Sequence, residues 1–171
     1  MSRTRFKVIL YLDETEFSRA AAIYSAILMM NMPNMHLTIV RLKESNQSLL
    51  EIDEKCQNIW PTTSDVPQNA LDVFLARSKD VQQQVLYSNP NIPDAVTALL
   101  AYVNKWAIDL IVMGAGEFSK IKEVIFGSLA YSLQNRSPIP VLLVKELSQD
   151  FLEGCNLTPT LTIVPKNQHG N

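Results

Sequence analysis

Apolar and polar positions alternate between two regimes along the chain. Short unbroken apolar runs are separated by longer stretches with helical periodicity. Lys7 to Leu12 (KVILYL) is rich in β-formers and ends in Asp13-Glu14-Thr15, so it reads as a strand buried on both faces. From Phe17 to Met30, Ala20, Ile23, Tyr24, Ile27 and Leu28 recur at helical spacing, and Met32-Pro33-Asn34 closes that helix. His36 to Leu42 (HLTIVRL) is a second strand, so the chain opens with β-α-β, the unit of a parallel sheet. The spacing of Leu49, Ile52, Cys56 and Ile59 predicts a helix over 48–59, and Pro67 to Ser78 predicts another, with Asp65 or a neighbour as its cap. Trp60 beside Pro61 reads as packing that loop onto the core or as a surface clasp.

Val81 to Ser88 (VQQQVLYS) is a third strand despite its glutamines. A helix opens at Pro93-Asp94 and runs to Trp106, with Val96, Leu99, Leu100, Val103 and Trp106 on one face. Asp109 to Met113 is the fourth strand, Ser128 to Gln134 a helix, and Val141 to Val144 the fifth strand. The expected architecture is α/β: an open parallel sheet of Rossmann type with helices on both faces and right-handed crossovers. In such sheets ligands bind at the carboxyl ends of strands. That rule lines up Asp13, Val40-Arg41 and Gly114 to Glu117 along one edge.

Composition narrows the function. With 171 residues and 47% apolar content, one globular domain is expected over 1–146, followed by an extension, 147–171, that is partly disordered. In that tail Leu157 to Val164 has strand composition broken by Pro159, suiting an edge strand or a segment lying on a partner. The net charge of −2 argues against nucleic acid and acidic membranes, and Arg3 to Lys7 reads as a solvated lead-in. Cys56 and Cys155 are far apart and lack ligand-like neighbours, so neither a disulfide nor zinc is expected. With no leader and no membrane-length apolar run, a cytoplasmic protein is expected.

The chemistry concentrates in Ala107 to Ser128. Of five glycines, Gly114, Gly116 and Gly127 fall within fourteen positions, after a buried strand and at the start of a helix. Such a turn offers backbone N–H groups to an anion. No metal-binding histidine pair, nucleophile elbow or complete Walker loop is present, so catalysis beyond slow ATP hydrolysis is not expected. His36 opens a strand and His169 lies in the tail, so neither is placed as a base.

The order KVILYLDET, HLTIVRL and DLIVMGAGEFSKIKEVIFGSLAYSLQNRSPIPVLLV resembles the universal stress protein family over residues 5–146. The resemblance implies a flavodoxin-like sheet of order 3-2-1-4-5 and a homodimer paired through the last strand, Val141–Val144. It also implies an adenine nucleotide, ATP or AMP, with Mg²⁺ if a triphosphate. The implied contacts are Leu12, Asp13 and Glu14 after the first strand, and Val40 and Arg41 at the end of the second. On the glycine loop and its helix they are Met113, Gly114, Ala115, Gly116, Glu117, Gly127, Ser128, Leu129 and Ala130. The family's motif is Gly, two residues, Gly, nine residues, Gly, then Ser or Thr; here Gly114, Gly127 and Ser128 fit, while Glu117 replaces the second glycine. Ala130 also lacks a hydroxyl that some ATP binders carry.

A carboxylate 4 Å from a phosphate repels it by roughly 4 kcal/mol at an effective dielectric near 20. Gly116 could take over the backbone role, a cation could bridge Glu117 to the phosphates, or the site could accept only adenosine or a monophosphate; otherwise Glu117 solvates a loop and nothing binds. Lys120 and Lys122 either neutralise phosphates or form a solvated face. Ser128 serves a phosphate or caps a helix, and Asp13 serves ribose, a metal or the first helix as N-cap. The alternative to a nucleotide binder is a dimeric interaction module without nucleotide.

Overall fold

The computed structural model describes residues 5–13, 15–44, 61–62, 66–115 and 128–155, with the side chain of Ser128 outside that set. The elements are β1 (Phe6–Tyr11), α1 (Glu16–Asn31), β2 (Met35–Glu44), α2 (Gln68–Ala76), a 3-10 turn (Ser78–Asp80), β3 (Val81–Ser88), α3 (Ile92–Trp106), β4 (Leu110–Gly114), α4 (Ser128–Arg136), β5 (Val141–Val144) and α5 (Gln149–Gly154). The five strands form one sheet of order β3-β2-β1-β4-β5, every adjacent pair parallel. The expected helix over 48–59, Trp60 and the strand-like 157–164 lie outside the described residues.

Strand periodicity splits the core in two. Val8, Leu10, Leu37, Ile39 and Val112 face α1 and α2, where they meet Ala21, Ala22, Ala26, Met29 and Phe74. Ile9, Tyr11, Val40, Ile111 and Met113 face α3 and α4, against Val96, Leu99, Val103 and Leu133. The strands are apolar at consecutive positions because helices cover both faces. Small residues line the buried stripe of α1, including Ser18, Ala21, Ala22, Ser25 and Ala26, so this helix lies close to the sheet.

Each helix end has a distinct solution. In α3 the Asn91 side chain accepts the Asp94 N–H at 2.9 Å, Pro93 occupies the first turn, and Ala107 closes the helix at φ 51. Lys7 is no solvated lead-in: its Nζ donates to the Trp106 carbonyl at 2.9 Å, and its N–H donates to Asp109 Oδ2 at 2.9 Å. The last turn of α1 carries no basic residue and no glycine cap. Arg77, arriving from the end of α2, supplies that cap. Its guanidinium donates to the carbonyls of Met29, Met32, Pro33 and Met35 and to Asp80 Oδ2. A planar five-donor fork suits this cluster of orphan carbonyls.

One element was not anticipated. Residues beyond β5 turn back onto α1, where Leu147 joins the α1-side core and Phe151 stacks on Tyr24 with centroids 6.2 Å apart. Ser148 caps this short helix by accepting the Phe151 N–H.

Candidate functional site

The strand order reverses between β1 and β4, because the chain after β1 runs toward β3 and after β4 runs toward β5. The connections leave on opposite faces there, and in open α/β sheets that switch point, at the carboxyl ends of the strands, is where ligands bind. Asp13 stands there, exposed, immediately after β1. Its Oδ1 accepts the Thr15 N–H at 2.8 Å and also the Thr15 hydroxyl, and Ser18 Oγ donates to the Asp13 carbonyl at 2.8 Å. The N-cap of α1 is Thr15, not Asp13. Asp13 instead braces the turn into α1, with its carboxylate facing solvent. Beneath it Tyr11 is buried; burial, reinforced by the Asp13 charge, pushes its phenol up to about 12.

Leu12 is buried toward α1, and its N–H donates to the Val40 carbonyl at 3.0 Å. Val40 is itself fully buried, and this bond shows which way its backbone points. In a parallel ladder the N–H and C=O of one residue point to the same neighbour, and the next residue points the other way. Val40 therefore serves β1 and Arg41 serves β3. Leu42 turns its N–H and C=O back toward β1, beyond the last rung Tyr11↔Val40. Val40 is thus engaged with β1, while Leu42 turns its backbone to the same side past the end of that ladder. This parity becomes visible only with the register.

Met113 and Ala115 are buried, and the Ala115 N–H is taken by the Val144 carbonyl at 2.8 Å. Gly114 has a structural reason to be glycine. A Cβ there would lie 2.4 Å from the Phe17 carbonyl carbon, 2.5 Å from its oxygen and 2.7 Å from its Cβ. The first turn of α1 therefore rests directly on the end of β4. Ser128 opens α4, Leu129 packs against the α3-side core, and Ala130 is buried in it. Position 130 is thus a packing position. Glu14, Gly116, Glu117, Lys120, Lys122 and Gly127 lie outside the described residues. Among the described residues no group of three metal-ligating side chains occurs, and no helix is long and apolar enough to cross a membrane.

The model of the universal stress protein family matches residues 6–145. The chain belongs to the universal stress protein family. The chain is similar to the stress response protein NhaX of Bacillus subtilis, 36% identical over 52 residues, a stretch covering 30% of this chain and 31% of that relative. A universal stress protein solved in complex with cAMP superposes with a TM-score of 0.59 at 20% identity, covering 82% of this chain and 97% of the other. Another, from Archaeoglobus fulgidus, gives 0.56 at 16% identity, covering 82% and 98%. At these identities the solved structures establish the fold: the five-stranded parallel sheet of order 3-2-1-4-5 is the one these family members share. Family membership makes this a stress-response protein.

Proposed function

We propose that this universal stress protein binds an adenine nucleotide, ATP or AMP, at the β1–β4 switch point. The observation that carries the reading is the exposed Asp13 carboxylate at the switch point, beside a Leu42 backbone that turns toward β1 beyond its last rung. In this reading Leu42 offers one donor and one acceptor to the adenine edge, as a base needs, and Asp13 accepts from a ribose hydroxyl. Gly127, Ser128 and the first turn of α4 hold phosphate, because a helix N-terminus presents unpaired N–H groups. The cAMP bound by a solved relative shares the adenine and ribose chemistry. A triphosphate would bring Mg²⁺, which offsets the charge of Glu117. The protein would act in the cytoplasm as a homodimer paired through β5.

The test is direct. Denatured protein is chromatographed for released nucleotide, and calorimetry measures ATP and AMP binding with and without Mg²⁺. Release of ATP or AMP, or saturable binding that Glu117→Gly tightens for ATP, is the expected result. A clean chromatogram with no heat of binding for either protein refutes the reading. That outcome favours the second reading, an interaction module without nucleotide. The second reading draws on one observation: packing against Phe17 alone suffices to require glycine at position 114.

A further inference from the structure

β3 closes one side of the sheet. Its eight residues pair with β2 in eight uninterrupted rungs, from Leu37↔Val81 to Glu44↔Ser88. The parity that turns Arg41 toward β3 makes Gln84 and Leu86 its partners, so the even residues of β3 face β2. Val81, Gln83, Val85 and Tyr87 therefore turn their N–H and C=O groups outward. Natural sheets blunt such edges with lysine, proline, bulges or short strands. β3 has none of these: VQQQVLYS holds no charge and no proline, its ladder is regular, and it is twice the length of the other edge strand, β5. Tyr87 adds an aromatic ring that is 45% exposed.

We propose that the outer edge of β3 pairs antiparallel with the β3 edge of a second copy across a two-fold axis. Residues opposite one another must lie on the same face, which restricts the symmetric registers. With Gln84 on the axis, Val81 meets Tyr87 of the second copy and Gln83 meets Val85. All four outward residues then form hydrogen-bonded pairs. An isologous contact places a surface against itself, so a charged edge would repel its copy; this edge carries no charge to repel. The exposed Tyr87 ring gains an apolar cross-strand neighbour in Val81. In the single chain the Val85 carbonyl accepts from the Gln84 side-chain amide at 3.0 Å. That amide is a local substitute which the second strand displaces. The interface is separate from the β5 edge and does not depend on nucleotide.

Sedimentation velocity over a range of concentrations tests the proposal in the full chain. Leu143→Pro first blocks the β5 edge, because Leu143 points its N–H away from β4 by the same parity. Self-association that remains belongs to β3. Val85→Pro then removes an outward N–H without costing a bond to β2, and Gln84→Lys sets like charges face to face on the axis. Each is expected to weaken the remaining association at least about tenfold while circular dichroism and melting stay near those of the parent. Amide exchange of wild-type Gln83, Val85 and Tyr87 is expected to slow as concentration rises. A Leu143→Pro protein that is folded and monomeric throughout overturns the proposal. So does association unchanged by both β3 variants. Protection of these amides that is independent of concentration also overturns it, because the chain's own residues would then cover the edge.

Discussion

Gly114→Ala isolates the contact on which the candidate site rests. The glycine has no left-handed φ to preserve, so an alanine there carries no backbone strain of its own. What opposes it is Phe17, with three atoms between 2.4 and 2.7 Å from the new methyl. Ordinary contact begins about 1 Å farther out, and two of the three atoms belong to backbone in the first turn of a helix. α1 cannot rotate a side chain away; it must lift as a body from β4, loosening Ala21, Ala22 and Ala26 from the sheet. Overpacking a well-filled core costs about 1–3 kcal/mol, and a backbone neighbour puts this case at the upper end, about 3 kcal/mol. For a domain of this size that lowers Tm by roughly 6–12 °C. Differential scanning calorimetry of the ligand-free protein, with urea unfolding as a second measure, reads the loss. A Tm within about 2 °C of wild type would refute the close approach of α1 to β4. The result also bears on function, because lost nucleotide binding in this variant would follow from a displaced α1 without any phosphate contact at Gly114.

Two further outcomes follow from other parts of the fold. Arg77→Met uncaps the end of α1 and leaves Asp80 with Arg5 at 3.9 Å as its cation. The loss in urea unfolding should be about 3 kcal/mol, and Arg77→Lys should recover less than half because an ammonium cannot reach four carbonyls at once; full rescue by lysine would refute the fork. His36 gives a pH dependence. Burial, helped by Arg5 and Lys7 and opposed by Asp80 and a hydrogen bond with Gln82, holds its imidazole below the usual 6.5. Below that pH the unfolded chain binds the proton more readily than the folded one. The stabilisation from a neutral His36 is therefore complete above pH 6.5 and falls as pH drops below it toward the folded value. Urea midpoints measured from pH 8 to pH 5 should decline in that window and flatten in His36→Leu; an unchanged slope refutes the assignment.

Apart from β3 with its three glutamines, the strands were legible because each is a short apolar run between turn residues, and burial on both faces leaves no other reading for KVILYL or DLIVM. The opening of α3 near Pro93-Asp94 was equally local, whereas its Asn91 cap became visible only in the structure. Three features depended on tertiary contacts. In α5, QDFLEG has only Phe151 and Leu152 to mark a buried face, and its reason to fold is the Tyr24 ring more than a hundred residues earlier. The direction in which Val40, Arg41 and Leu42 turn their backbone groups depends on strand register, and side-chain patterns carry no record of that. Gly114 reads in sequence as part of an anion loop because a close approach by Phe17 leaves the same trace as a ligand.

The Arg77 fork also sets an order of events. The carbonyls it satisfies lie 42 to 48 residues earlier in the chain. During synthesis, β1, α1 and β2 leave the ribosome as an apparently complete β-α-β unit whose helix still ends in bare carbonyls. Its cap is synthesised only with Arg77, the residue that follows α2. Arg77 therefore ties the end of α1 to chain made just ahead of the strand that becomes the sheet's edge.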